Sequence, residues 1–493
     1  MRVPLLSTSS PNRSRKQGSP LLVNMFLETK NTAQFSTYPP LTQDSGISPA
    51  VAYPDPGLVL FSAGNGVSVR SSIVFKNYAY IVMDSGVYKV DSSGNRTQIG
   101  SFYTTIGLVS AVASANSIVW ADGVSFYRYV VSTNTFSTDG STYGFPVGSN
   151  YLSYQDGYGF ARVPETASQN GQAAFSDPAS NLQTWNNADA GFFTAQSRAD
   201  NLVAPFSDQR YIYMFGTETI EMFDNTGGIN VFTRDLTAYH KYGCASAWSI
   251  TQSKDRIYFM GTGGTGGYKA CFVQNASLNI ISTPQIEQQF STYSTLSDTI
   301  AFVYEFQGHV FCNYTFPTAG ETWVYDETER AWHQRTSYQP TVNVNTPYTN
   351  FRANTYMFFN GMHIIGDMHS GNLYQMTATA LDEFGNKIER LITSPTIYDE
   401  GHYVALSTVE CIFEPGVGLA TNLTPTVSLR VSRDGGFTWG NWVAKQLGNY
   451  NKRVIWSRLG SGRSFVVQLR MTDAVGWCVL DMTAHTDAEE PDE

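Results

Sequence analysis

Residues 210–228 read RYIYMFGTETIEMFDNTGG. Tyr211, Tyr213 and Phe215 alternate with Ile212 and Met214. Gly216-Thr217 interrupts the run, and Ile220, Met222 and Phe223 resume it. A period of two broken by a short polar stretch predicts strand, tight turn, strand. The stretch holds no His and no Cys, so it raises the question of what a chain built from such units does.

The same plan recurs on both sides. NYAYIVMDSGVYKVDSSGNRTQI (77–99) turns at Asp84-Ser85-Gly86, NSIVWADGVSFYRYVVSTNTF (116–136) at Asp122-Gly123, and NYLSYQDGYGFARV (150–163) at Asp156-Gly157. Asp-Gly between alternating apolar residues is a strong hairpin signal. Further units follow at 255–273, 308–335 and 357–376. Their spacing of roughly 40 to 55 residues matches the blade period of a β-propeller, and roughly six or seven blades fit the length.

Past Met376 the texture changes. Segments such as VSLRVSRDGGFTWGNWVAKQLG and KRVIWSRLGSGRSFVVQLRMT are longer alternating strands rich in Arg and Lys, which predicts a separate β-sandwich. The expected organisation is an N-terminal arm and tie over 1–50, a propeller over 51–380, a sandwich over 381–485 and an acidic tail over 486–493.

Composition agrees with an all-β chain. Aromatic residues make up 14% and charged residues 15% of 493 positions, with 42 Gly for turns. Tyr-rich, charge-poor surfaces suit buried interfaces. A formal net charge of -10 argues against gripping nucleic acid through a basic surface, while leaving DNA free to pass an acidic wall. Five scattered cysteines, none at C-x-x-C spacing, predict structural thiols. No apolar run reaches the roughly 18 residues of a membrane span. The start MRVPLLSTSSPNRSRKQGSP has no apolar signal core, which places synthesis and first use in a cytoplasm.

Four motifs bear on chemistry. Ser432-Arg433-Asp434-Gly435-Gly436-Phe437-Thr438-Trp439 fits the Asp-box pattern, with Ser432, Asp434, Gly436 and Trp439 as its structural residues. Such boxes occur in sialidases, so a propeller glycan hydrolase or a glycan-binding host-recognition protein is the rival reading, but the box itself is a turn device. His363, Asp367 and His369 have the residue types of a metal site and share a strand face, although a solvent-facing hairpin accounts for them. GTGGTGG at 261–267 lacks the Lys-Ser/Thr of a phosphate loop and reads as a hairpin tip. Lys445, Lys452, Arg453, Arg458, Arg463 and Arg470, interleaved with Trp442 and Trp456, form a basic cluster. Lys445, Lys452, Arg453, Trp456 and Arg458 are its candidate docking surface.

Three stretches together resemble one family. They are FFTAQSRADNLVAPFSDQRYIYMFGTETIEMFDNTGG (192–228), PLLVNMFLE (20–28) followed by Pro56-Gly57-Leu58, and NKRVIWSRLGSGRSFVVQLR (451–470). The combination is similar to the tail hub, or nozzle, of short-tailed bacteriophages, also called the packaged-DNA stabilisation protein or tail accessory factor. The likeness spans roughly residues 20 to 485 and is weakest over 131–180, which reads as loop-rich. It implies a virion tail protein, assembled in the host cytoplasm, that forms a homohexameric ring below the portal and its adaptor. The ring would extend the DNA channel and retain packaged DNA without binding it specifically. It would also carry tail fibres or spikes and a plug or needle. The resemblance brings no catalytic residue, no metal and no cofactor, and no membrane insertion.

Overall fold

The computed structural model describes residues 2–12, 19–29, 50–138, 142–165, 171–186, 190–198, 200–227, 231–263, 267–339, 347–414, 425–447 and 453–488. Within them the chain is β throughout, apart from one helix, Pro284–Phe290, capped by Thr283, and short 3-10 turns. No helix among the described residues is long and apolar enough to cross a membrane.

Seven antiparallel units of consecutive strands follow one another among the described residues: 69–101, 110–137, 152–194, 202–240, 242–280, 300–334 and 353–377. We label these blades I to VII. The stretch 131–180, read as loop-rich, in fact holds the last strand of blade II and the first three of blade III. Its turn is Asp156-Gly157, whose φ values of 54° and 90° match the backbone twist that a two-residue hairpin demands. Residues of all seven units border a single axial cavity of about 450 Å³. Tyr151, Tyr154, Phe206, Trp248 and Tyr356 line it together with smaller Ser, Ala and Val side chains.

The ring closes across the sequence. Blade VII has only three strands of its own, and its fourth is Gly57–Ser62, antiparallel to Leu373–Thr377. Completing the last blade with a strand from the start of the propeller ties the two ends of the ring together.

The second body is a sandwich. One sheet runs in the order Met25–Thr29, Ala50–Pro54, Val479–Ala488, Val404–Phe413, Arg453–Ser457, with Arg2–Pro4 on Val479–Ala488. The facing sheet joins Leu21–Val23, Arg390–Thr393, Ser464–Met471, Thr426–Ser432 and Val443–Gln446. Leu22, Met25, Leu27, Ile392, Val409, Trp456, Leu469 and Trp477 make its core. The stretch read as an arm thus supplies strands to both sheets.

The two bodies share a sheet. Val23 pairs in parallel with Gln334, the outer strand of blade VI, while Leu21–Val23 pairs with Arg390–Thr393 on its other side. The next strand alternates between the cores. Met25 and Leu27 face the sandwich, whereas Phe26 sets its ring edge-on against Phe311 at 5.1 Å and His309 at 4.9 Å in blade VI. A period of two lets one short strand serve two hydrophobic interiors.

All five cysteines are free and buried, and burial pushes the thiols of Cys244, Cys271 and Cys478 up to about 12. They act as small apolar side chains.

Candidate functional site

The family-like stretch around the opening hairpin is a hydrogen-bonded anchor. Asp200, from the Arg-Ala-Asp run, is buried and receives the whole 217–219 turn. Thr217 N donates at 2.8 Å, Glu218 N at 2.9 Å and Thr219 N at 2.7 Å, with the hydroxyls of Thr217 and Thr219 adding two more bonds. Gly216 is required because a Cβ there would stand 2.2 Å from Asp200 Oδ2. Beside it, buried Glu221 accepts from Ser197 N at 2.9 Å and from Arg234 at 3.1 Å. Arg198 pairs with exposed Glu218. Arg198, Asp200, Glu218 and Glu221 thus hold the interblade loop to the hairpin.

The Asp box is folded as a box. Asp434 accepts from Phe437 N at 2.9 Å, from Thr438 N at 2.9 Å and from Thr438 Oγ1 at 2.6 Å, and Ser432 Oγ donates to it at 2.6 Å. Gly436 N donates to Ser432 Oγ, and Gly435 and Gly436 adopt φ of 79° and 94°. Burial works to raise the Asp434 carboxyl, but the bonds from Ser432 and Thr438 outweigh it and hold the group far below the usual carboxylate range. Trp439 is partly buried and lies against Arg430 rather than in the sandwich core.

The docking cluster is split by the fold. Trp456 is a correction: it is 1% exposed in the sandwich core, with Nε1 donating to Val443 O at 2.9 Å, so it offers no surface. Strand alternation turns it inward while Arg453 and Ser457 turn out. Arg453 is exposed but committed to a two-pronged pair with Glu410. Lys445 is exposed and reaches Ile455 O. Arg458 is exposed, with φ of 60°. Lys452 lies outside the described residues. Arg470 pairs with Glu389 at 2.7 Å, and Arg463 sits over Tyr403.

The three metal-type residues do other work. His363 Nδ1 hydrogen-bonds with Tyr356 Oη, and Asp367, wholly buried, binds Arg352 at 2.8 Å and caps the turn at His369 and Ser370. Among the described residues no three His, Cys, Asp or Glu side chains group closely enough to hold a metal ion. Of GTGGTGG, Gly261–Gly263 belongs to a strand and 264–266 lie outside the described residues.

Sequence reasoning missed a buried polar junction between the two bodies. Asn24 bridges Thr336 Oγ1 at 2.9 Å and Glu389 O at 2.7 Å, linking blade VI to the sandwich. Asp55 faces His333 at 3.3 Å. Burial works to raise its carboxyl, and His333, Arg335 and Arg390 pull it below the ordinary value. Arg335 stacks on Phe351 and donates to Pro56 O at 2.7 Å. Glu383 is 2% exposed and receives one hydrogen bond, from Ser337 Oγ at 3.0 Å. Burial pushes its carboxyl up to about 7, against the pull of Arg352 and Arg335. Polar residues up to 365 positions apart meet here, so no local spacing announces them.

Two family models divide the chain between them. The β-propeller model of bacteriophage P22 Gp10 matches residues 26–381, and the β-sandwich model of the same protein matches residues 389–487. The chain belongs to the P22 Gp10 family. It is accordingly a structural tail protein of the short-tailed phage type, with the propeller and the C-terminal sandwich in the family's order. No curated protein matches the sequence. Solved structures similar to it include the computationally designed Ika8 protein (8% identity, TM-score 0.39, covering 65% of this chain and 100% of that one). The extracellular domain of the two-component system BT4673 from B. thetaiotaomicron is another (9%, 0.44, 64% and 39%). A third is the Pan2 WD40 domain of Neurospora crassa (11%, 0.40, 66% and 94%).

Proposed function

We propose that this chain is the ring-forming subunit of a tail hub, extending the DNA channel below the portal and adaptor and retaining the packaged genome. The observation that carries the reading is the match of both family models, end to end, to one phage tail protein. The axial cavity of the propeller, bordered by all seven blades, is about 450 Å³, too small for a double helix to thread a single subunit. A channel for DNA is then built between copies, as in a closed ring of identical subunits. A homohexamer is the assembly proposed, with the net charge of -10 keeping the passing polyanion from sticking.

In this reading the partners are other copies, the adaptor ring, tail fibres or spikes, and a tail plug or needle, with no catalysis and no membrane insertion. The sandwich face with its exposed Lys445 and Arg458 is the proposed attachment to the adaptor, without the contribution of Trp456. Electron microscopy of the purified chain mixed with adaptor-bearing heads tests this. A six-fold ring on the head vertex is the expected result. A monomer that stays off the heads and releases sugar from a host polysaccharide contradicts it.

A further inference from the structure

Beside the Asp box, a groove of about 520 Å³ opens on the sandwich surface. It is bordered by Arg430, Arg433 and Arg458, with Thr438, Trp439 and Asn441, and by no Asp or Glu. Three other arginines of this body are neutralised: Arg453 by Glu410, Arg470 by Glu389 and Arg2 by Asp481. The three groove arginines have no ion pair among the described residues. Glu389, whose charge reaches Arg430, is paired with Arg470, and Asp434, next to Arg433 in sequence, has both oxygens occupied by the turn it closes.

Arg430 is the most organised of the three. Its guanidinium lies 4.7 Å from the Trp439 ring and 4.4 Å from the Trp442 ring, and Nε donates to Gln468 Oε1 at 2.7 Å. Among the described residues its two terminal nitrogens make no hydrogen bond. A guanidinium fixed by aromatic rings and by its own Nε presents a rigid pair of N–H donors, the geometry that recognises a carboxylate. Arg433 is steadied through Leu459 O at 3.0 Å, and Arg458, the residue before Leu459, is exposed on the groove. Among the lining residues the apolar Val443 is 50% exposed.

We propose that this groove binds an acidic polypeptide segment of another protein, one carboxylate seated on Arg430 and neighbouring ones on Arg433 and Arg458. Charge complementarity, with the Trp439 and Val443 side chains beside the arginines, selects a peptide over a nucleic acid. A duplex needs a run of phosphate contacts along an extended basic surface, which a chain of net charge -10 with three clustered arginines does not offer. The inference deepens the reading of the sandwich as the docking body, and rests on it for its biological meaning.

The test uses the full chain and a fluorescently labelled Glu/Leu-rich peptide, with a Gln/Leu-rich peptide and a labelled duplex DNA as comparators, read by anisotropy. The Glu/Leu peptide should bind, should weaken as salt is added, and should lose roughly tenfold or more in affinity in Arg430→Gln. Arg458→Gln, at an exposed side chain, should weaken it too and serves if Arg430→Gln lowers the melting temperature. Equal binding of the Gln/Leu peptide, tighter binding of the duplex, or unchanged affinity in both variants overturns the proposal. A separate assay scores attachment of the same variants to DNA-filled heads. Peptide binding lost with attachment intact leaves the groove assignment standing and contradicts the docking reading alone.

Discussion

Two turns in this molecule are held by a single carboxylate, and they hold it in opposite ways. In blade IV, Asp200 gathers the turn at 217–219 from 17 to 19 residues upstream, through five donors, and is itself buried. In the sandwich, Asp434 gathers Phe437 and Thr438, three and four residues ahead, at the surface. The local turn closes on itself and would form in almost any setting. The distant one ties an interblade loop to a hairpin and exists only once both are in place. A carboxylate that joins separate elements carries more of the fold than one that shapes a loop.

That contrast gives an order of effects. Asp200→Ala leaves buried N–H and O–H groups without an acceptor and should cost about 3 to 4 kcal/mol. Chemical denaturation of the variant measures it, and a cost below that of Asp434→Ala breaks the comparison.

Glu383 sharpens it from the other side, as a buried carboxylate with one donor instead of five. Its folded pKa of about 7 lies above the unfolded value of 4.5, so its proton is bound more tightly in the native state. The stability it contributes is fully present below the unfolded value and is lost as pH rises through about 7. Glu383→Gln removes that loss. The variant should gain on the native chain by about 2 kcal/mol between roughly pH 5 and 8. Parallel stability curves for the two proteins over that range would contradict the assignment.

Asp434→Ala should cost about 1 to 2 kcal/mol, as loss of a capping side chain does. Because its folded carboxyl is held low, this contribution is present above about pH 4 and fades as acid takes the pH below it. If stability is unchanged while a binding or hydrolytic activity disappears, the turn is more than a turn. The smallest effect belongs to Arg453→Ala, whose exposed pair with Glu410 shapes no turn. Its melting temperature should match that of the native chain within the error of the measurement.

How far the sequence could be read follows the same division. Hairpins such as Tyr211–Gly216 with Ile220–Asn225 were legible because strand period and turn residues are local. The Asp box was legible for the same reason. What was not legible is everything joined over long separations: Gly57–Ser62 as the last strand of blade VII, Leu21–Val23 stitched between blade VI and the sandwich, and the junction of Asn24, Asp55, Arg335 and Glu383. Trp456 was misplaced because an aromatic among basic residues reads alike whether the strand turns it outward or inward. Only the pairing of Arg453–Ser457 with Val404–Phe413 decides the face.

The central claim is that this chain is a wall of a phage tail rather than a catalyst, and genome retention tests it most directly. Heads filled with DNA but lacking this chain, supplied with the purified protein, should form a ring at the vertex and keep their DNA through a nuclease challenge. Heads given Lys445→Glu with Arg458→Glu, in protein that melts like the native chain, should leak. Heads that keep their genome equally well without the chain would contradict the account.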